Sequence, residues 1–134
     1  MAISKIYTFI YSDIHKVWDI VFTVEKYGAW RSDLIKTEII DENQFVEYGK
    51  GGYATVFSTT AIEPYKRWEF DIKNDSMTGH WVGIFEAEKN GTRIDFTENI
   101  TPRKWYMKPF IKLYLKKQQR QFVQDLKKAL NNIL

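Results

Sequence analysis

Glu98 is the side chain best placed for chemistry in this sequence. It falls in the segment 92–100, where strand alternation puts Ile94, Phe96 and Ile100 on the same face as its carboxyl group. Burial on an apolar face raises a carboxyl pKa, which suits the group to act as a general acid or base or to anchor a ligand hydroxyl. The competing role is structural, a contact with Arg31, Arg103 or a backbone amide near the sheet end. Tyr114 and Gln118 offer a phenol and an amide from a helical segment. They orient a ligand or, equally, pack and bond to the protein itself.

The other reactive side chains point elsewhere. His15 lies in the first turn of a helix and His80 alternates onto the strand face opposite Trp81, so neither builds a nucleophile system with Glu98. The absence of cysteine excludes disulfides, thiolate metal sites and cysteine nucleophiles. Two histidines so placed offer no metal site, and the glycines from Gly49 to Gly52 lack the Lys-Ser/Thr ending of a phosphate loop. Neither a cofactor nor a metal is expected.

The elements that must position these groups are legible from periodicity. A strand over 3–11 ends at Ser12, expected to cap a helix through Val17, Trp18 and Ile20, and a second short helix covers 24–27. Strands follow over 34–40, 44–48, 53–62, 67–73, 78–88 and 92–100. The segment 108–134 reads as a long helix, with Leu115, Phe122, Leu126, Ala129 and Ile133 on one stripe that Gln118 interrupts. This is an α+β order: seven strands, two short helices after the first, and one long final helix.

Turns set register, and register decides which side chains share a face. A two-residue turn at Asn90-Gly91 pairs Phe85 with Phe96, Gly83 with Glu98 and Trp81 with Ile100. A turn over 74–77 pairs Phe70 with Trp81 and Trp68 with Gly83. A turn over 63–66 adds Ala61, Thr59 and Phe57, and a glycine turn at Lys50-Gly51 pairs Tyr48 with Tyr53 and Val46 with Thr55. Gly79 and Gly83 leave gaps on this aromatic inner face, or else they serve sheet curvature. The expected pocket lining is therefore Tyr48, Phe57, Trp68, Phe70 and Trp81, continued by Gly83, Phe85, Phe96 and Glu98, and closed by Tyr114 and Gln118. Trp30, Trp105 and Tyr106 are expected at its mouth or ends, more as packing anchors than as recognition elements. Because the aromatics face inward, no nucleic-acid surface is expected.

Length and composition fit a single domain over 1–134, with no internal repeat or linker. No run is long and apolar enough for a transmembrane helix, and the apolar stretch 6–11 lacks a signal-peptide pattern, so a cytoplasmic protein is expected. Charge is uneven. From Arg103 onward nine Lys or Arg face one acid, Asp125, while the preceding part is net acidic. The basic helix back is expected to be mainly solvated and to complement the helix dipole; the alternatives are peripheral contact with anionic lipid or docking of an acidic partner. Oligomeric state is not legible.

These residues, in order, resemble a known family: Ser12 through Val17-Trp18-Asp19-Ile20, Tyr27-Gly28-Ala29-Trp30, Gly51-Gly52, Gly79-His80-Trp81, Gly91-Thr92-Arg93-Ile94 and Phe122-Val123-Gln124-Asp125-Leu126. The pattern resembles the START-like helix-grip (SRPBCC) superfamily, in particular its polyketide cyclase/dehydrase branch. Ala29 and Asp13 stand where prolines are common in that family. The resemblance implies a curved antiparallel sheet gripping the C-terminal helix around an apolar cavity. Binding of a hydrophobic small molecule, a lipid or a polyketide-like aromatic, is the leading expectation, because apolar pockets with few polar groups are the usual form of such sites. The resemblance leaves open a cyclase or dehydrase using Glu98 as acid/base, and an interaction module working through the basic helix face.

Overall fold

The computed structural model describes residues 1–131. Strand β1 (Ala2–Ile10) leads into helix α1 (Ile14–Phe22), a 3₁₀ turn (Val24–Lys26) and the short helix α2 (Tyr27–Trp30). Six strands follow: β2 (Leu34–Ile39), β3 (Gln44–Gly49), β4 (Ala54–Glu63), β5 (Arg67–Lys73), β6 (Met77–Glu88) and β7 (Gly91–Pro102). After a second 3₁₀ turn (Trp105–Met107), helix α3 runs over Lys108–Asn131. The sheet order is β1-β7-β6-β5-β4-β3-β2, antiparallel throughout, so the first strand returns to pair with the last. Helix α3 lies over the inner face along β1 and β7, and the α1 to α2 segment closes the same side.

Local chemistry explains where the elements start. The cap of α1 is Asp13, one residue after the expected Ser12: its carboxylate accepts from the His15 backbone N–H at 3.0 Å. The Ser12 carbonyl instead accepts from the Thr92 hydroxyl at 2.8 Å. Helix α3 buries Ile111, Leu115, Val123, Leu126 and Leu130, each stabilising the fold by roughly 1.5–3 kcal/mol. Phe122 and Ala129 are half-buried, and Ile133 lies outside the described residues.

Three hairpins depart from the expected register, with different consequences. At β6–β7 the turn is Lys89-Asn90, with Asn90 at φ 69°, so Glu88 pairs with Gly91. Gly91 is needed in the strand itself, because a Cβ there would come within 2.2 Å of the Ile10 carbonyl oxygen. The shift is two residues and the faces survive. Phe85 now opposes Ile94, Gly83 opposes Phe96, and Glu98 opposes Trp81. At β3–β4 the turn is one residue longer than expected, with Gly52 at φ 86°, and Tyr48 pairs with Ala54. A one-residue slip exchanges the faces, so Phe45 and Glu47 point inward and Tyr48 points outward. At β4–β5 a bulge between Thr59 and Ala61 keeps Phe57 and Thr59 inward but moves Ala61 opposite the outer-face Glu69. The β5–β6 register is as expected, Ile72 with Gly79, Phe70 with Trp81 and Trp68 with Gly83.

The two inward glycines do not leave gaps. A Cβ on Gly83 would sit 2.2 Å from the Trp81 indole, and one on Gly79 would sit 2.4 Å from Ile100 Cδ1. Each glycine makes room for a neighbouring side chain lying flat on the sheet. Strand pairs on the outer face are polar: His80 bridges Asp71 at 2.7 Å and Glu69 at 2.9 Å, and Arg93 makes two 2.8 Å bonds to Glu88.

Candidate ligand cavity

A cavity of about 110 Å³ lies between the sheet and α3. Its walls are aromatic. Phe45 and Phe57 stack at 4.8 Å, Phe70 and Trp81 stack at 4.6 Å, Trp68 meets Phe70 edge-on at 4.9 Å, and Phe96 lies 5.9 Å from Phe122 of the helix. Such pairs fix the ring orientations and keep the walls rigid. A vestibule of about 260 Å³ adjoins it between α3 and the start of β4; Glu47, Thr55, Tyr114 and Gln118 line both spaces. An engineered apolar cavity of ~150 Å³ binds benzene, so the inner chamber, at about 110 Å³, takes part of one ring or a short chain. With the vestibule it reaches the range of ordinary small-molecule sites, from ~300 Å³.

Polar groups enter this apolar space at one end. Arg31, which follows α2, is almost fully buried; its guanidinium holds Asp33 with two bonds, at 3.1 and 2.7 Å, and Glu47 with a third at 2.8 Å. Its plane lies 5.1 Å from the Tyr27 ring and 5.0 Å from the Phe122 ring, so the cation is sandwiched as well as paired. Burial pushes the Glu47 carboxyl up, and Arg31 opposes that shift. Glu98 reaches the same region from β7 and has no hydrogen-bond partner among the described residues. Desolvation, reinforced by the Glu47 charge and only partly offset by Arg31, raises its pKa to about 7. One guanidinium already paired with two carboxylates offsets little of the penalty on a third, so Glu98 holds its proton through the mildly acidic range and is about half ionised near pH 7.

The helix side contributes Tyr114, Gln118 and Gln119. Tyr114 lies at the junction of chamber and vestibule, and burial lifts its phenol pKa above the ordinary value. Gln118 is half-buried and faces both spaces. The fully buried amide is Gln119: its Oε1 accepts from Ser4 Oγ at 2.7 Å and its Nε2 donates to the Ser4 carbonyl at 2.9 Å, tying α3 to β1. Asp125 is a second buried polar group of α3, accepting from the Ser32 N–H at 2.9 Å and hydroxyl at 2.8 Å.

Among the residues expected from sequence, Phe57, Trp68, Phe70 and Trp81 line the chamber, together with Phe96, Glu98, Tyr114 and Gln118. Three do not. Tyr48 points outward under the Lys36 ammonium, 4.9 Å from its ring. Gly83 is covered by Trp81, and Phe85 packs beneath α1 against Trp18 at 4.9 Å. Trp30 packs on Tyr27 and Phe122 instead of standing at the mouth, and Trp105 and Tyr106 are exposed beyond it. Sequence reasoning missed Arg31 as a wall residue, and with it Phe45 and Glu47. The signal for the last two was the alternation of β3, read one residue out of step.

The profile of the polyketide cyclase/dehydrase and lipid transport family matches residues 10–131. The chain belongs to this family. No curated protein matches it in sequence. Among solved structures it is similar to a START superfamily protein from Mycobacterium smegmatis, at 12% identity over 98% of this chain and 99% of that one, with a TM-score of 0.85. A conserved protein from Geobacillus kaustophilus gives 11% identity, 98% and 96% coverage and a TM-score of 0.85. DynU16, a protein in the dynemicin biosynthetic locus, matches at 13% identity over 96% of this chain and 47% of that one, TM-score 0.77. At these identities the similarity is one of fold. No described helix is long and apolar enough to cross a membrane.

Proposed function

We propose that this family member binds a small, mostly apolar molecule, aromatic in part, whose one polar group meets Glu98. The observation that carries this reading is the unpaired carboxyl of Glu98 facing a chamber walled by aromatic rings. Near neutrality the protonated group donates a hydrogen bond, so a ligand carbonyl suits it, and the Arg31–Glu47 pair leaves that donor unsatisfied by protein. The aromatic lining supplies the affinity and the single polar anchor the orientation, the usual division in such sites. The size of the chamber favours a ligand whose ring enters it while the remainder occupies the vestibule.

The test uses 2-acetylnaphthalene, an acceptor-only aromatic ketone, titrated against tryptophan emission. Binding with quenching is expected at pH 6, weakening as pH rises through about 7 when Glu98 loses its proton. Glu98→Gln, whose amide still donates, should bind at both pH values. Affinity that ignores pH in the unsubstituted protein would refute the role of Glu98; no binding at any pH, together with native mass spectra showing no co-purifying apolar molecule, would refute the binding reading. A second reading rests on the same chamber: with Glu47, Tyr114 and Gln118 beside it, Glu98 is also arranged as the acid/base of a cyclase- or dehydrase-type reaction. There Glu98→Gln keeps binding and loses ~10²-fold or more in rate.

A further inference from the structure

The first two turns of α3 are apolar on both sides. Ile111 and Leu115 face the sheet and are buried, whereas Phe110 and Leu113 point outward and are 67% and 72% exposed, with Tyr114, 40% exposed, between them and the vestibule. Trp105 and Tyr106, in the turn just before, are 79% and 53% exposed. Farther along, the outward side of the same helix changes to Lys117, Arg120, Gln121 and Gln124, so the apolar patch is confined to one end. A cluster of large side chains left in water at one place marks a contact surface. Its charge says what kind. Between Glu98 and Asp125 the sequence holds seven bases and no acid, and the exposed Arg103, Lys104, Lys108 and Lys112 are interleaved with the patch itself.

We infer that this end of α3 docks on the surface of an anionic lipid bilayer. Trp105 and Tyr106 are the side-chain types that settle at the headgroup level, Phe110 and Leu113 reach past it, and the lysines meet lipid phosphates while their stems lie along the apolar boundary. An interface between two copies is disfavoured, because a two-fold contact would bring the exposed Arg103, Lys104, Lys108 and Lys112 of one copy against the same four of the other. Tyr114 and Lys117 also line the vestibule, so docking turns the cavity mouth toward the membrane. That orientation rests on the binding reading above, whereas the docking itself does not.

The experiment is flotation of the purified protein with vesicles of phosphatidylcholine alone or of phosphatidylcholine with phosphatidylglycerol, at low and high salt and with no ligand added. The protein should float with the anionic vesicles, and salt should release it. Each basic charge near the surface contributes roughly fivefold to partitioning, so Lys104→Glu with Lys108→Glu should weaken it about 25-fold or more. Phe110→Ser with Leu113→Ser should abolish flotation; both positions are exposed, and an unchanged urea midpoint verifies the fold. Trp105 is the one exposed tryptophan, so brominated lipids should quench it and leave the buried and half-buried indoles bright. Failure to float with anionic vesicles, or flotation unchanged in the Phe110/Leu113 variant, overturns the proposal, as does capture of RNA or an acidic protein without vesicle binding. The ketone titration is done in free solution, so loss of docking with intact ketone binding, or the reverse, identifies which of the two readings has failed.

Discussion

Replacing Glu98 by Gln isolates the electrostatics of the cavity in a single number. The carboxyl pKa rises from the ordinary 4.5 to about 7 on folding because its surroundings strip water from the charge and Glu47 adds a second negative group. At ~1.4 kcal/mol for each tenfold change in proton affinity, that corresponds to about 3 kcal/mol. The sign follows from proton counting. Between 4.5 and 7 the folded protein holds the proton and the unfolded chain does not, so stability falls as pH rises through this window. Below about 4.5 both states are protonated and the penalty is absent; above about 7 it is complete. Gln never ionises, so Glu98→Gln should match the unsubstituted protein at pH 4 and exceed it by about 3 kcal/mol at pH 8. Urea unfolding at half-unit pH steps, read as the difference between the two proteins, cancels the contributions of the carboxylates that do not interact with Glu98 and leaves Glu98 with its coupling to Glu47. Parallel stability curves from pH 4 to pH 8 would show that Glu98 is ordinarily solvated or paired, and the account of the site would fail with it.

Gly83→Ala places a Cβ against the Trp81 indole and should cost about 1–3 kcal/mol by overpacking, read from the urea midpoint and from displaced tryptophan emission. Gln119→Ala strands the buried Ser4 hydroxyl and carbonyl, and should destabilise by about 2–4 kcal/mol, whereas Gln118→Ala, at the chamber wall, should leave the midpoint nearly unchanged. Burial opposes protonation of His80, but its bonds to Glu69 and Asp71 outweigh that and hold its pKa above 6.5; the stabilisation they give is present below 6.5 and fades as pH rises through the raised value, which an NMR titration of the ring will follow. Charge reversal at Arg120, on the solvated back of α3, should change stability by under ~1 kcal/mol and leave ketone binding intact.

What the sequence determined by itself was periodicity. Alternation along β5, β6 and β7 comes from the pleat of the backbone, a property of covalent geometry, so Trp68, Phe70, Trp81, Phe96 and Glu98 were assignable to one face without knowing any contact. The two-residue slip at Asn90 moved Glu98 from Gly83 to Trp81 and cost nothing in facing, because the pleat repeats every two residues. The family resemblance was legible for the same reason, since the order of strands and helices is written in such local patterns. What only the tertiary structure decided were quantities set between segments distant in the chain. One extra residue in the Gly49–Gly52 turn exchanged Tyr48 for Glu47 as the inward side chain, and turn length is fixed by how β3 and β4 pack, not by the glycines that permit it. The rotation of α3 against β1 made Gln119 the buried partner of Ser4 and left Gln118 for the cavity. Arg31, which the sequence offered only as one possible partner of Glu98, became instead the counter-ion of Asp33 and Glu47. The acidity of Glu98 belongs to that arrangement: it depends on which charges already have partners, and pairing is a property of the folded chain.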